Sequence, residues 1–451
     1  MRDRYNNFKG VVKRYGWRVL ICSLGLLLIA GIVADNLPGS RGWFHDMKWD
    51  LELKGRSAWA KITSSDFDLG SYPGEGSPQA IELQRKIDEW YPQALERYPR
   101  FQVQYKNVQD DRNGFLKIIE WQEEFEIGDD SPPIPEQFYE LLEIEKGKGS
   151  ASPELLSELE TYLKTKQDLL DRALVIGLLS EQSVKNIPSK RYIFTSVDFV
   201  MNIINHLKLK VILEAGRGDA AEVMKTLTAI RGWINHYSGI ETPSLIFMTL
   251  SVAIQNHLNP LVYSMVLPNM ELEGFNYDQG AKLLNNEIDR QAQWVNMWRG
   301  EWHSCVKALL PMELPHVNLR DPIECMEVYS SFMNDLADPK QIEVVGLSMP
   351  PPPEHLTVKS RALIELLDLG ISAFGDGLRR SMTLQRQYEV AFTLRKLEAE
   401  GQDLSSLKEA ATKELGLQVL PDIRLSIDFD KRLVSVPEGK GMISDIEPLA
   451  F

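Results

Sequence analysis

From Ser152 onward the apolar residues recur at helical spacing and keep that spacing for most of the chain. In SPELLSELETYLKTKQDLLDRALVIGLLSEQ, Leu155, Leu156, Leu159, Leu163, Leu170 and Leu174 make one stripe, and Ser152-Pro153 is a start signal, a cap followed by proline in the first turn. Ile187-Pro188 closes that unit. Three more stretches follow, TSVDFVMNIINHLKLKVILEAGRGD, AAEVMKTLTAIRGWINHYSG and TPSLIFMTLSVAIQNHLNPLVYSMVLP, each ending at Gly or Pro. Helices of this length with short links are expected to lie antiparallel. At Gly216-Arg-Gly-Asp219 one helix is predicted to stop and Asp219 to cap the next, with Ala215, Gly216, Ala220 and Ala221 letting the two approach. The pair has the form of a tetratricopeptide-like helix–turn–helix unit, although no clean 34-residue period runs through the chain. The Arg-Gly-Asp triplet reads as a capped turn.

The same pattern predicts further helices at QAIELQRKIDEWYPQALER, PEQFYELLEIEKG, YDQGAKLLNNEIDRQAQWVNMWRGEWHSCVKALLP, DPIECMEVYSSFMNDLA and HLTVKSRALIELLDLGISAFGDGLRRSMTLQRQYEVAFTLRKLEAEG, the last ending at Gly401. FQVQYKNV alternates and suits a short strand. IRLSIDFDKRLVSV alternates too and predicts a hairpin turning at Asp430-Lys431. The expected fold is mainly α: an antiparallel, α-solenoid-like bundle with a small β-hairpin at residues 421–451.

One stretch breaks this pattern. Val19 to Ala34 is an uncharged apolar run preceded by Arg2, Arg4, Lys9, Lys13, Arg14 and Arg18, with Asp3 the one acid among them. That asymmetry predicts a single-pass helix over residues 19–36 of the inner membrane, with residues 1–18 cytoplasmic and the bulk of the chain periplasmic. A cleaved signal is the competing reading, but Ile32 is bulky for the position two before a cut at Ala34. Residues 37–80, rich in Gly and Pro, read as a tether. Residues 81–348 form the helical domain, Met349-Pro-Pro-Pro-Pro353 a stiff spacer, and residues 354–420 the C-terminal helices.

Charge narrows the partners. The formal charge is −14, and the first 18 residues contribute +5, so the body carries about −19. Such a surface disfavours nucleic acid. Glu120 to Glu145 holds many of these acids, but EIGDDSPP lacks the alternating ligands and central glycine of a calcium loop.

Candidate chemistry is sparse. The chain has no HExxH, GxSxG, Walker or strand-linked GxGxxG motif. Its histidines are His45, His206, His236, His257, His303, His316 and His355, and none has another three or four residues away. In GEWHSC, Glu301 and Cys305 share a helix face while His303 points elsewhere, a weak zinc pattern. No catalytic residue, metal or cofactor is therefore assigned. Cys305 and Cys325 would both face an oxidising compartment and suit either one disulfide or two buried thiols. Trp294, Trp298 and Trp302, four apart, form either a buried seam or an interaction face for glycan or peptide.

The order AFTLRKLEAEG, DLSSLKEA, ELGL, DFDKRLVSV resembles the end of a group of planctomycete-type bacterial, single-pass, envelope-facing helical proteins of tetratricopeptide-like build. The matching positions are Ala391, Leu394, Arg395, Gly401, Leu404 and Leu407, within residues 386–451, and a looser likeness covers 190–265. Asp403 stands where the group carries proline, and SVPEGKG replaces its usual ending. The resemblance implies architecture and compartment and no activity. The functional expectation is a membrane-anchored scaffold that binds another envelope protein. Its alternatives are an envelope hydrolase acting on glycan or peptide through carboxylates and, from the helix-then-strand ending alone, a pilus or secretion accessory.

Overall fold

The computed structural model describes residues 78–127, 134–142, 152–188, 196–266, 277–284, 290–306, 322–343, 351–356, 358–403, 405–406, 408–409, 416–420, 422–436 and 446–451. The proposed anchor at 19–36 and its flanks, His45, His316, Met349, Leu404 and Leu407 lie outside them. Among the described residues the protein is mainly helical, with a small antiparallel strand set near residue 420 and beyond. They divide into two compact units, each assembled from segments distant in sequence.

The first unit takes its described residues from Met1–Gln104, Thr242–Thr249 and Arg290–Leu378. It contains α1 (Pro78–Arg97), and we number the later helices in chain order: α2 Gly114–Ile127, α3 Tyr139–Leu142, α4 Pro153–Lys164, α5 Gln167–Gly177, α6 Val197–Gly216, α7 Ala220–Ser238, α8 Leu245–Leu261, α9 Tyr277–Leu284, α10 Arg290–Ser304, α11 Pro322–Leu336 and α12 Val358–Ala399. In the first unit α10 packs on α11 and on the turn Pro339–Glu343, while α1 packs on α11.

The second unit comprises described residues of Tyr105–Glu241, Leu250–Asp289 and Arg379–Phe451. Here α7 packs against both α5 and α6, and α4 and α3 pack on α6. The turn between α6 and α7 is three residues long, so the pair is antiparallel. Gly218 sits at φ 71, a left-handed conformation that glycine adopts without a Cβ penalty, and the Asp219 carboxylate accepts from the Glu222 N–H at 3.1 Å. This is the capped turn expected from Gly216-Arg-Gly-Asp219. Ser152 caps α4 in the same way, accepting from the Leu155 N–H at 3.2 Å.

Two expectations change. The stripe from Ser152 is two helices and not one: the Thr165 hydroxyl donates to the Tyr162 carbonyl at 2.7 Å, and Lys166 leaves helical geometry before α5 begins. FQVQYKNV begins with a helical turn, Pro99–Phe101, and continues extended but joins no sheet. The long stretch from Tyr277 is helical in its described parts, α9 at Tyr277–Leu284 and α10 at Arg290–Ser304, and residues 285–289 lie outside the described ones. Leu245–Met265 is the one described stretch long and apolar enough to cross a membrane, and 83% of its window is buried inside the fold. Pro260, with no N–H to give, precedes a wider π turn at Val262–Val266, and the Ser264 hydroxyl takes the Pro260 carbonyl at 2.6 Å.

The strands are short. β1 (Gln418–Leu420) pairs with β2 (Ile423–Arg424), and β3 (Ser426–Asp428), β4 (Leu433–Ser435) and β5 (Leu449–Ala450) form a second antiparallel sheet in the order β3-β4-β5. The β3–β4 turn spans the expected Asp430-Lys431. Asp428 Oδ1 accepts from the N–H groups of both residues, and Arg432 completes the turn at φ 57.

Candidate functional site

The tryptophans, the two cysteines, Glu301 and His303 singled out from the sequence all lie in the first unit. Trp294, Trp298 and Trp302 are 2%, 0% and 0% exposed and lie within the core. Trp294 and Trp298 meet edge to face at 5.3 Å. Trp294 donates its indole N–H to the Leu336 carbonyl at 2.6 Å, and Trp302 donates to Ser330 Oγ at 2.8 Å. Trp302 is stacked on Phe101 at 4.4 Å and on Tyr91 at 5.5 Å. Gly300 makes room for this arrangement: a Cβ there would stand 2.1 Å from the Pro243 carbonyl oxygen.

His303 fixes the next turn. Its Nε2 donates to the Phe101 carbonyl at 2.7 Å, because a carbonyl can only accept, and its Nδ1 is hydrogen-bonded to the Tyr91 hydroxyl at 2.7 Å. The ring joins α10 to the second half of α1 and to the turn that follows it. Glu301 accepts from the Leu245 N–H at 2.9 Å and from the Cys305 thiol at 3.4 Å. Burial pushes its carboxyl above the ordinary value, against those two hydrogen bonds. Burial also pushes the Tyr329 phenol well up, reinforced by Cys305 and Glu301 beside it. Cys305 and Cys325 are both buried thiols with no bond between them. A carboxyl, a thiol and a phenol thus meet, while His303 is turned to other partners. Among the described residues no group of three His, Cys, Asp or Glu side chains can hold a metal ion.

A second carboxylate in this unit gathers donors from α1. Glu327 of α11 accepts from the Trp90 indole at 2.5 Å and the Tyr98 hydroxyl at 3.2 Å, and it pairs with Arg97 at 2.5 Å.

The second unit holds three of the histidines named from the sequence, His206, His236 and His257, together with a carboxylate, Glu241, that the sequence did not single out. Glu241 accepts from the Lys106 N–H at 2.8 Å, the Ser183 hydroxyl at 2.7 Å and the Val184 N–H at 3.0 Å, tying two loops to the end of α7. His236 is fully buried; its Nε2 donates to the Ile176 carbonyl at 2.9 Å, and burial lowers its pKa to about 4. His206 donates from Nδ1 to the Asn202 carbonyl and accepts from the Tyr162 hydroxyl at 2.9 Å, and burial lowers its pKa as well. The Lys208 ammonium donates to His257 Nδ1 at 3.0 Å.

A polar seam follows α8 and α12. Ser381 reaches Asn256 at 3.4 Å, and Tyr388 meets Tyr263 at 5.6 Å, so the two segments run parallel in register. Arg231 donates to Gln255 and Gln255 to Asn259, while Gln385 and Arg386 both donate to Glu389. Burial lowers the Arg231 guanidinium to about 10, with Glu389 pulling the other way. The sequence did carry a signal for this seam, in the polar run Gln255-Asn256-His257 on an otherwise apolar helix.

These groups share one chemistry. Glu241, Glu301, Glu327, His206, His236 and His303 each tie their own segment to another. No family model matches the chain, nor does any curated protein or any solved structure.

Proposed function

We propose that the protein is a membrane-anchored, envelope-facing helical scaffold that presents its surface to another envelope protein. The observation that carries this reading is the employment of the buried titratable groups. His206, His236 and His303 have ring nitrogens committed to carbonyl or hydroxyl partners, and Glu241, Glu301 and Glu327 accept from main-chain or side-chain donors on other elements. Such groups lock helices together. The antiparallel α6–α7 pair, with α5 and α4 stacked beside it, supports a repeat-like build that exposes an extended surface. The uncharged run at 19–34 behind six bases supports the anchor, and a body of about −19 favours a partner with a cationic face.

Two measurements test it. Reporter fusions placed after residue 40 and after residue 451 are expected to be active only outside the cytoplasm, and a C-terminus protected inside the cytoplasm overturns the orientation. Crosslinking in membranes followed by purification of the tagged full chain is expected to recover a defined envelope protein in constant ratio. Recovery of the chain alone overturns the scaffold.

A further inference from the structure

His236 of α7 stands where three segments of the second unit meet. Its ring presses on the start of α2: a Cβ on Gly114 would stand 2.2 Å from the ring Cε1 and 2.6 Å from Nδ1. Its Nε2 donates to the Ile176 carbonyl of α5 at 2.9 Å, and its Nδ1 is buried with no hydrogen-bond partner among the described residues. The imidazole is therefore seated as the neutral ring. A second proton on Nδ1 would meet neither an acceptor nor room for water, and burying the ionised ring there costs more than its one hydrogen bond offsets.

Among the described residues no charged group relieves that cost. On α2, Lys117 and Glu120 pair with each other at 2.9 Å, and Glu124 pairs with Arg172 of α5 at 2.5 Å. Asp168 and Asp171 of α5 and Asp198 at the start of α6 are exposed. In the segment after α5, Glu181 pairs with Arg112 at 2.5 Å and Lys185 donates to Asn107 at 3.3 Å. Glu241, just beyond α7, is taken by Lys106, Ser183 and Val184, and Arg231 on α7 itself donates to Gln255. Burial and the Ile176 carbonyl alone set the proton affinity of the ring, and burial dominates.

The two sides of the ring are not equally firm. α5 and α7 touch backbone to backbone at Gly177 and Gly232, and Trp233 donates to the Ala173 carbonyl at 3.0 Å. α2 is fastened through the segment after α5: the Gly114 N–H donates to the Glu181 carbonyl at 2.9 Å, and Asn113 and Ser183 exchange bonds at 2.9 and 3.2 Å. Residues 113–114 and 181–183 are thus bound into one piece that leans on the ring, and Glu241 is bonded to the same piece. We propose that His236 is the latch of an acid-opened joint: a second proton on its ring parts this piece from the α5–α7 pair and bares the edge contact of Phe115 with Tyr237, while α5 and α7 stay together. This inference is independent of the scaffold reading and holds whichever protein the surface of the helical body meets.

Hydrogen exchange of the full chain in sub-denaturing urea tests it. Between pH 7 and pH 5, after correction for the intrinsic rate, the amides of Gly114 and Ser183 are expected to exchange about twentyfold faster. That is the ratio for a ring titrating at 6.5 when open and at about 4 when closed. Their rates are expected to vary little with urea, as in a local opening, while amides within α5 and α7 stay slower and rise steeply with urea. No acceleration at Gly114 and Ser183, or one with the urea slope of α7, overturns the proposal. His236→Gln keeps a donor for the Ile176 carbonyl and cannot titrate, so it is expected to lose the acceleration; an acceleration that survives overturns the latch. Gly114→Ala drives a methyl into the ring without acid and is expected to free the same two amides at pH 7, which decides the matter where His236→Gln does not fold. Unchanged protection of Ser183 in a folded Gly114→Ala chain overturns the joint.

Discussion

Gly232 of α7 lies so close to Gly177 of α5 that a methyl group on Gly232 would stand 1.7 Å from the Gly177 carbonyl oxygen. The relation is mutual: a Cβ on Gly177 would meet the Ala229 carbonyl oxygen at 2.4 Å. Two helix backbones touch here, and Trp233 locks the crossing by donating its indole N–H to the Ala173 carbonyl at 3.0 Å. Helix propensity alone favours alanine over glycine by up to about 1 kcal/mol. A main-chain carbonyl cannot rotate away, so overpacking wins at this position. Gly232→Ala is expected to destabilise the protein by about 1–3 kcal/mol, read from urea unfolding. Gly216→Ala is the comparison, since its new methyl meets only the flexible Leu156 side chain at 2.9 Å, and it is expected to change stability far less.

His236 sets a pH dependence. Its pKa is about 4 in the folded chain against 6.5 for the free side chain, because the buried ring is desolvated. Between those values the unfolded chain binds a proton that the folded chain refuses. Stability is therefore complete above pH 6.5 and falls as the pH drops toward 4, by up to about 3 kcal/mol from this group. The lowered His206 acts in the same direction, and the raised Glu301 carboxyl acts against both. Urea midpoints measured from pH 7 to pH 4 are expected to decline, and His236→Gln is expected to flatten the decline. An equal slope in the variant would show that the imidazole is not the group responsible.

The helices were legible in the sequence because their signals are local. Ser152 and Asp219 both cap as their positions suggest, Gly401 ends α12 at φ 83, and the hairpin turns where Asp430-Lys431 stands. The pairings were not legible, because they join residues far apart. Asn113 and Ser183 exchange hydrogen bonds across 70 positions, and His303 reaches Phe101 across 202. The period of Trp294, Trp298 and Trp302 showed that they share a helix face, but a spacing of four is the same for a buried seam and an exposed one. What decides between them is the presence of Phe101 and Tyr91 against Trp302, which no local pattern encodes. The break at Thr165 was hidden for a related reason. A threonine hydroxyl competes for a helix carbonyl only when its rotamer allows, and the composition around it is helical throughout.

Glu241 offers a way to loosen two loops at once. Its two oxygens accept three hydrogen bonds, from Lys106, Ser183 and Val184. Glu241→Gln keeps the shape but leaves one oxygen and turns an NH2 group toward an N–H. The expected cost is about 1–3 kcal/mol, the range for stranding a buried donor. Hydrogen exchange locates the effect: the amides of Lys106 and Val184 are expected to exchange faster in the variant, while that of Leu245, held by Glu301, keeps its protection.

The inward-facing tryptophans make a prediction about what they do not touch. Trp302 donates to Ser330 Oγ, whose own proton goes to the Met326 carbonyl at 2.7 Å, so the hydroxyl has one role for each lone pair and proton it uses. Ser330→Ala removes the acceptor and leaves a buried indole N–H unpaired, at a cost of about 1–3 kcal/mol. Trp302→Phe removes the N–H as well and keeps an aromatic ring for the stack with Phe101, so the double variant is expected to be less destabilised than the sum of the two single variants. Trp302→Ala loses the ring and is expected to cost about 3–5 kcal/mol. Both tryptophan effects are expected in the unfolding midpoint. In membranes, a Trp302→Phe chain that still folds is expected to capture the proposed envelope partner as the parent does, since a side chain with no exposed surface cannot meet a partner directly. Loss of capture by a folded Trp302→Phe chain would return this face to the surface and make it the interface.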